Sequence, residues 1–306
     1  MSVALRVVKP GLLTTVQDAG RPHAVASGVS PGGAMDRFAL FAANVLVGNQ
    51  PGVAALECTV RGPRLVAERG CMVAVTGGDL EFKVNGAEGP TWTAIALEEG
   101  AELSFGARRA GARAYLAVGG GIVADRWLGS FSTDLAVGRG GMYGRALIEG
   151  DVIEAAEMAD APPVGRSLPS ELRPDYSDHS LRAIAGPHPA PDIFGPAFQV
   201  TPESNRMGYR LDGRAVHAAG DELLSFVVVA GAVQVPSGGR PILLMADHQT
   251  AGGYPVVAVV AGASMPVAAQ LAPGDELRFL ETSIDQALAM RAAERKALDS
   301  LTTWSL

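Results

Sequence analysis

Two cysteines, three lysines and five histidines in 306 residues leave several kinds of chemistry without their usual parts. Cys58 and Cys71 are too few for a disulfide framework and lack the paired spacing of a zinc site, so a reducing, cytoplasmic setting suits them. The lysines are Lys9, Lys83 and Lys296, and none follows a glycine, which excludes a Gly-Lys phosphate loop. None has the Ala-Met/Met flanks of a biotin attachment site, so any biotin must come from another polypeptide. His23, His179, His188, His217 and His248 are scattered with no i, i+4 pair, and no metal is expected. A Gly-x-Ser-x-Gly elbow is also missing, which argues against a self-sufficient covalent hydrolase.

Long apolar runs are missing too. The longest, Leu223 to Val235, is interrupted and falls short of the roughly 20 residues that span a bilayer. The start, MSVALRVVKPGLLTT, has no apolar core, so the chain is expected to be soluble and unprocessed. Cationic excess is absent as well: Lys+Arg 25 against Asp+Glu 32 gives a net charge of -7, and nucleic acid is not an expected partner.

Glycine and proline are plentiful, at 38 and 20, and 48% of the residues are hydrophobic, the composition of an ordered, tightly turning fold. At roughly 100 to 200 residues per domain the length accommodates two units. Short β-branched runs recur between turn residues at Val3 to Val8, Met72 to Thr76, Leu80 to Val84, Tyr115 to Val118, Leu224 to Val229, Ile242 to Met245 and Val256 to Val260. That spacing predicts a mainly β fold of antiparallel sheets closed into barrels or sandwiches. A weak repeat supports two related units: the phrase from Leu97 to Phe105 resembles that from Leu271 to Phe279, with a third partial copy from Gly220 to Phe226. Each reads as a glycine turn feeding a strand.

Two helices are expected. Asp36 to Leu46 places Phe38, Phe41, Ala42 and Val45 on one face, with Asp36 as N-cap and Gly48 as terminator. Ser283 and Gln286 have capping-box spacing ahead of Ile284, Leu288 and Met290, predicting a helix on the outside of a barrel. The proline-rich stretch before Ser180 reads as a linker, giving domains at 1–160 and 181–306 joined by 161–180.

Polar, glycine-rich phrases mark where chemistry could sit. Gly28, Gly32 and Gly33 let the backbone approach a ligand and offer N–H groups to an anion or a developing oxyanion; the alternative is that they serve tight turns, with Gln17, Asp18 and Arg21 bonded to the loop backbone. The stretch through Ser130, Ser132 and Asp134 to Arg145 reads as a flexible segment able to close over a small molecule, or as a loop with no ligand. Arg206 or Arg210 could fork onto a carboxylate, or pair with Glu203 or Asp212. Asp247, His248, Gln249, Thr250 and Tyr254 place acid, base and donor groups beside Gly252 and Gly253, although a lone loop histidine such as His248 is expected to be solvated.

The same phrases carry a family resemblance. The run from Gly11 to Arg21, Gly33 to Asp36, Ala43 to Asn49, Leu56-Glu57, Leu128 to Ser130 with Ser132-Thr133, Gly140-Gly141, Gly144-Arg145, Ser204 to Gly208, Gln234 to Pro236, Asp247 with Gln249-Thr250, and Gly252 to Pro255 resemble the allophanate hydrolase subunit 2 family. That family includes the C component of 5-oxoprolinase, Kip-antagonist regulators and half of the carboxyltransferase region of urea carboxylase. Three departures stand out: His23 replaces a common glycine, His248 fills a variable position, and Phe131 replaces an arginine, which removes an anion contact.

The resemblance implies two tandem cyclophilin-like β-barrels and a partner of the subunit 1, Kip-inhibitor type. Its first functional implication is an enzyme subunit for ATP-dependent opening of the 5-oxoproline lactam to glutamate, with no covalently bound cofactor and a third subunit handling ATP. In that role Arg206 or Arg210 would hold the carboxylate of a small amide or lactam, N–H groups near Gly32, Gly33, Gly252 and Gly253 would stabilise the oxyanion, and Asp247 and Tyr254 would move protons. A biotin-dependent carboxyltransferase half-site, using biotin in trans, and a non-catalytic regulator of a kinase inhibitor are the two other roles it implies. The two enzymatic roles need segments around positions 30, 130, 206 and 250 to line a common hollow, whereas the regulator would bind through its barrel surface with these polar residues structural.

Overall fold

A computed structural model describes residues 2–158, 162–218 and 224–302. The chain is mainly β, as the spacing predicts, and divides into two compact units. One takes the chain up to Gly20, Asp36–Pro174 and the end of the last helix from Lys296; the other takes Arg21–Met35 and Asp175–Arg295.

The first unit packs two antiparallel sheets on one core. Its seven-stranded sheet runs, in spatial order, Ile122–Val123, Val152–Ala155, Ser2–Lys9, Arg64–Ala67, Glu102–Ser104, Lys83–Val84 and Ala87–Glu88. The five-stranded sheet runs Leu13–Gln17, Ala55–Thr59, Ala110–Val118, Cys71–Asp79 and Ala94–Leu97. Leu5, Leu65, Leu103 and Ile153 of one sheet meet Leu56, Val73, Val75 and Leu116 of the other, which is why the strands are apolar at alternate positions. Helix α1, Arg37–Leu46, is capped by the Asp36 carboxylate, which accepts from the Ala39 N–H at 2.9 Å. It is buried on more than the expected face, since Ala39, Leu40 and Ala43 are covered as well. Residues from Pro162 to Pro174 also belong to this unit: Leu168 is buried and Arg166 donates to the Val45 carbonyl at 3.1 Å.

The second unit is a closed seven-stranded barrel in the order Ser180–Ala185, Val256–Val260, Ala232–Gln234, Ile242–Leu244, Gly208–Gly213, Ala197–Val200 and Glu276–Glu281. A parallel pairing of Ser180–Ala185 with Glu276–Glu281 closes it. Leu181, Phe198, Tyr209, Leu243 and Phe279 fill the interior, and Met35 joins that core. Helix α2 is Met265–Ala269, and helix α3 is Ile284–Thr302. At the start of α3 the expected capping box forms, with Ser283 Oγ accepting from the Gln286 N–H and Gln286 Oε1 accepting from the Ser283 N–H. Ile284 and Leu288 are exposed, however, and the helix buries Ala297 and Leu301 instead.

Two copies of the repeat have the same local structure. The Ala101 N–H bonds the Glu98 carbonyl and the Asp275 N–H bonds the Ala272 carbonyl, with Gly100 (φ 82) and Gly274 (φ 93) at the position where such a turn needs a left-handed residue. Each then enters a strand whose leucine, Leu103 or Leu277, is buried in its own unit. The third copy falls largely on residues 220–223, outside the described residues.

Candidate functional site

Three of the four segments expected to gather do so within the second unit. Arg206 is buried, 8% exposed, just ahead of the strand Gly208–Gly213. Its Nε donates to Asp247 Oδ2 at 2.8 Å and its Nη2 to Asp247 Oδ1 at 3.0 Å, a two-point fork on one carboxylate. The same Nη2 donates to the Gly33 carbonyl at 2.6 Å, and the Asp247 N–H returns to the Arg206 carbonyl at 2.8 Å. Positions 33, 206 and 247 are thereby tied at one point. Position 130 packs in the first unit, against Asp18.

Arg210 does not share this place. It lies within the strand, paired with Ile242, and its side chain is exposed, because Gly208 starts a strand rather than continuing a helix and alternate residues then face opposite sides. Arg21, whose place in the sequence implies a residue bonded to the loop backbone, is fully buried and its N–H donates to the Pro31 carbonyl at 2.6 Å. Gly32 (φ 58) passes so close that a Cβ there would stand 2.8 Å from Arg21 Nη1, so this glycine serves the turn and its packing on a buried side chain.

His248 corrects the expectation of a solvated histidine. It is 3% exposed, with Nδ1 2.6 Å from the Gln249 carbonyl oxygen, and burial holds its pKa below the ordinary histidine value. Beside it, buried Gln234 organises the rest of the phrase: its Oε1 accepts from Gln249 Nε2 at 3.0 Å and its Nε2 donates to the Tyr254 carbonyl at 3.4 Å. Gly252 lies in the short strand Ala251–Gly252, which pairs with Phe226–Val227, and a Cβ on it would stand 2.7 Å from Gln234 Nε2. Gly253 is half-buried next to it, and the Tyr254 ring is 50% exposed. Gln234 was visible in the sequence only as part of Gln234-Val-Pro236; its role depends on a strand pairing that the local pattern does not encode.

In the first unit the Asp18 carboxylate is the hub. It accepts from Ser130 Oγ at 2.6 Å, from Ser132 Oγ, and from the Gly20 and Phe131 N–H groups at 2.7 Å. The segment expected to be a flexible cover is therefore anchored at Ser130 to Ser132. A second buried network joins Tyr115, whose hydroxyl donates to Glu57 at 2.7 Å and accepts from the Asp36 N–H at 2.8 Å. Burial, then the Glu57 charge, pushes the Tyr115 hydroxyl well above the usual tyrosine pKa, so it stays a donor.

The sequence model of the carboxyltransferase domain, subdomain A and B, matches residues 27–281. The chain belongs to that family. Among its relatives, the C component of 5-oxoprolinase of Escherichia coli (strain K12) is 36% identical over 317 residues, covering 99% of this chain and 98% of the relative. The urea amidolyase of Saccharomyces cerevisiae is 31% identical over 324 residues, covering 97% of this chain but 18% of that enzyme. The solved structure of the K. lactis urea amidolyase superposes with a TM-score of 0.89 at 31% identity, over 98% of this chain and 20% of that one. This carboxyltransferase-family chain thus spans about a fifth of the urea amidolyases it matches and nearly all of the bacterial 5-oxoprolinase component.

Among the described residues no helix is long and apolar enough to cross a membrane.

Proposed function

We propose that this chain is the C-type component of a 5-oxoprolinase complex, opening the 5-oxoproline lactam to glutamate together with a subunit 1-type partner and an ATP-handling third subunit. The observation that carries this reading is the match to 98% of the E. coli 5-oxoprolinase component at 36% identity, against 18% of the yeast urea amidolyase. In the reaction a water oxygen adds to the lactam carbon, the C–N bond breaks and the ring nitrogen takes a proton, with ATP consumed by the complex.

The buried fork gives the second unit a part in this. A substrate carboxylate reaching Arg206 competes with Asp247 for a guanidinium geometry that suits either. In this reading, exchange at the fork releases Asp247 as a proton acceptor, half-exposed Tyr254 handles a second proton, and N–H groups near Gly32, Gly33, Gly252 and Gly253 are assigned to the developing oxyanion. Arg210, exposed on the barrel strand, is the alternative anchor for the carboxylate.

Co-expression with the neighbouring subunit genes, followed by assay of ATP-dependent glutamate release from 5-oxoproline, tests the reading. Release that falls by orders of magnitude in Arg206→Ala, while circular dichroism and co-purification show the variant folded and assembled with its partners, supports it. No release, with an avidin-reactive carrier in the purified complex and carboxylation of a small amide, replaces it with the carboxyltransferase reading, which the K. lactis superposition favours.

A further inference from the structure

The first unit carries a cavity of about 230 Å³ on the edge of its seven-stranded sheet, lined by Val123, Asp125, Met142, Tyr143, Val152 and Glu154 among others. It exceeds the roughly 150 Å³ that holds a benzene ring in an engineered protein core and falls below the roughly 300 Å³ where drug-sized pockets begin. Its volume therefore suits a group the size of one side chain.

The lining has a defined chemistry. Asp125 is held by a reciprocal backbone pair with Gly141, at 2.8 and 3.1 Å, and Glu154 lies in the strand Val152–Ala155 between two neighbours, so both are carried by fixed backbone. Neither carboxylate makes a hydrogen bond or ion pair with another side chain among the described residues. The cation next to Tyr143 is already engaged: Arg145 lies over the Tyr143 ring at 5.4 Å and binds both oxygens of Asp151, at 2.7 and 2.9 Å. Met142, 8% exposed, and the valines supply an apolar wall.

Tyr143 is held there against its backbone preference. Met142 and Arg145 bridge across a two-residue hairpin turn in which Tyr143 (φ 56) and Gly144 (φ 69) are both left-handed. The hairpin between Lys83–Val84 and Ala87–Glu88 uses the same conformation with Asn85 (φ 50) and Gly86 (φ 81), the residue pair that such a turn favours. A bulky aromatic at that position is strained, and Tyr143 is 70% exposed, so burial within the fold does not offset the strain.

We propose that this cavity is a binding site for an alkyl-ammonium or alkyl-guanidinium group, independent of the reaction proposed above. Asp125 and Glu154 meet the charge, Val123, Val152 and Met142 cover the aliphatic stem, and the face of the Tyr143 ring that Arg145 does not cover is offered to the cation. The group can belong to a free small amine or to a lysine or arginine of a bound partner chain, since the recognising chemistry is shared.

The test is a calorimetric titration of the full chain with agmatine at low ionic strength, with n-butyrate as the control. The expected result is one saturable site with a Kd of about 1 mM or tighter, weakened at least about tenfold in Asp125→Asn/Glu154→Gln and in Tyr143→Asn, which keeps a residue suited to the turn. Circular dichroism checks that each variant is folded. If agmatine also displaces a co-purified partner subunit, the natural group is a partner's side chain; if it binds without displacing one, the natural ligand is a free amine. Failure of agmatine to saturate, equal binding of n-butyrate, or equal affinity in folded variants would overturn the proposal.

Discussion

Arg206 and Asp247 lie 41 positions apart and share two side-chain hydrogen bonds, of 2.8 and 3.0 Å, at a point where Arg206 also holds the Gly33 carbonyl. The guanidinium is 9% exposed and the carboxylate 17%, so neither charge is well hydrated without the other. Removing one partner of such a pair strands the other, which costs more than the pair contributes relative to apolar replacements. Arg206→Ala is expected to lower the stability of the isolated chain by about 3 kcal/mol in urea denaturation. The double change Arg206→Met with Asp247→Leu should lose less than the single one. A single variant as stable as the parent would show that the fork does not hold this corner together.

Asp18 collects hydrogen bonds from two serines and two backbone N–H groups, and bonds to a charged acceptor are stronger than neutral ones. Asp18→Ala should cost at least about 2 kcal/mol and selectively raise amide hydrogen exchange around residues 128–134. Exchange that rises evenly over the whole chain would assign Asp18 a general role in stability rather than a local one.

Gly28 and Gly32 both have positive φ, but only Gly32 has a neighbour in the way. Gly32→Ala should therefore destabilise by more than Gly28→Ala, both exceeding about 1 kcal/mol from backbone strain alone. The difference between them measures the clash with Arg21. Equal losses would mean that the Arg21 side chain yields freely.

His248 has its pKa lowered by burial, which gives the pH dependence a definite sign. Above the ordinary histidine value of about 6.5 both folded and unfolded forms are neutral there and the residue contributes no slope. As the pH falls below it the unfolded chain takes a proton that the folded one refuses, and stability drops until the depressed folded pKa is reached. His248→Gln should flatten the stability profile below about pH 6.5. An unchanged slope would place the acid sensitivity elsewhere.

Local signals were readable where the physics is local. Asp36 and the Ser283–Gln286 box cap the helices they precede, and the two glycine turns before Leu103 and Leu277 form as their phrases imply. Alternation failed where a single backbone residue intervened: the apolar run Leu80 to Val84 contributes only Lys83–Val84 to a sheet because Glu81 (φ 54) breaks the extended path. The apolar face of α3 was misplaced because Ile284 and Leu288 obey helical spacing yet meet no neighbour that covers them.

The site was legible in residue types and not in partners. Arg206, Asp247 and Gly33 were all visible as candidates, but nothing along the chain says that the first two bind each other. Arg21 buried at 0% exposure runs against the usual placement of arginine, and only the fold reveals it. Asp18 and the serines are more than a hundred positions apart, beyond any pattern read in a short window.

The stretch Arg21–Met35 packs with the second unit although the chain on both sides of it packs with the first. It brings Met35 to the barrel interior and the Gly33 carbonyl to Arg206. The barrel is therefore not a cassette: a gene fragment cut after the proline-rich stretch would encode all its hydrogen-bonded walls yet omit part of its filling, and recombination that exchanges such fragments between relatives would leave this upstream insert facing a mismatched interior.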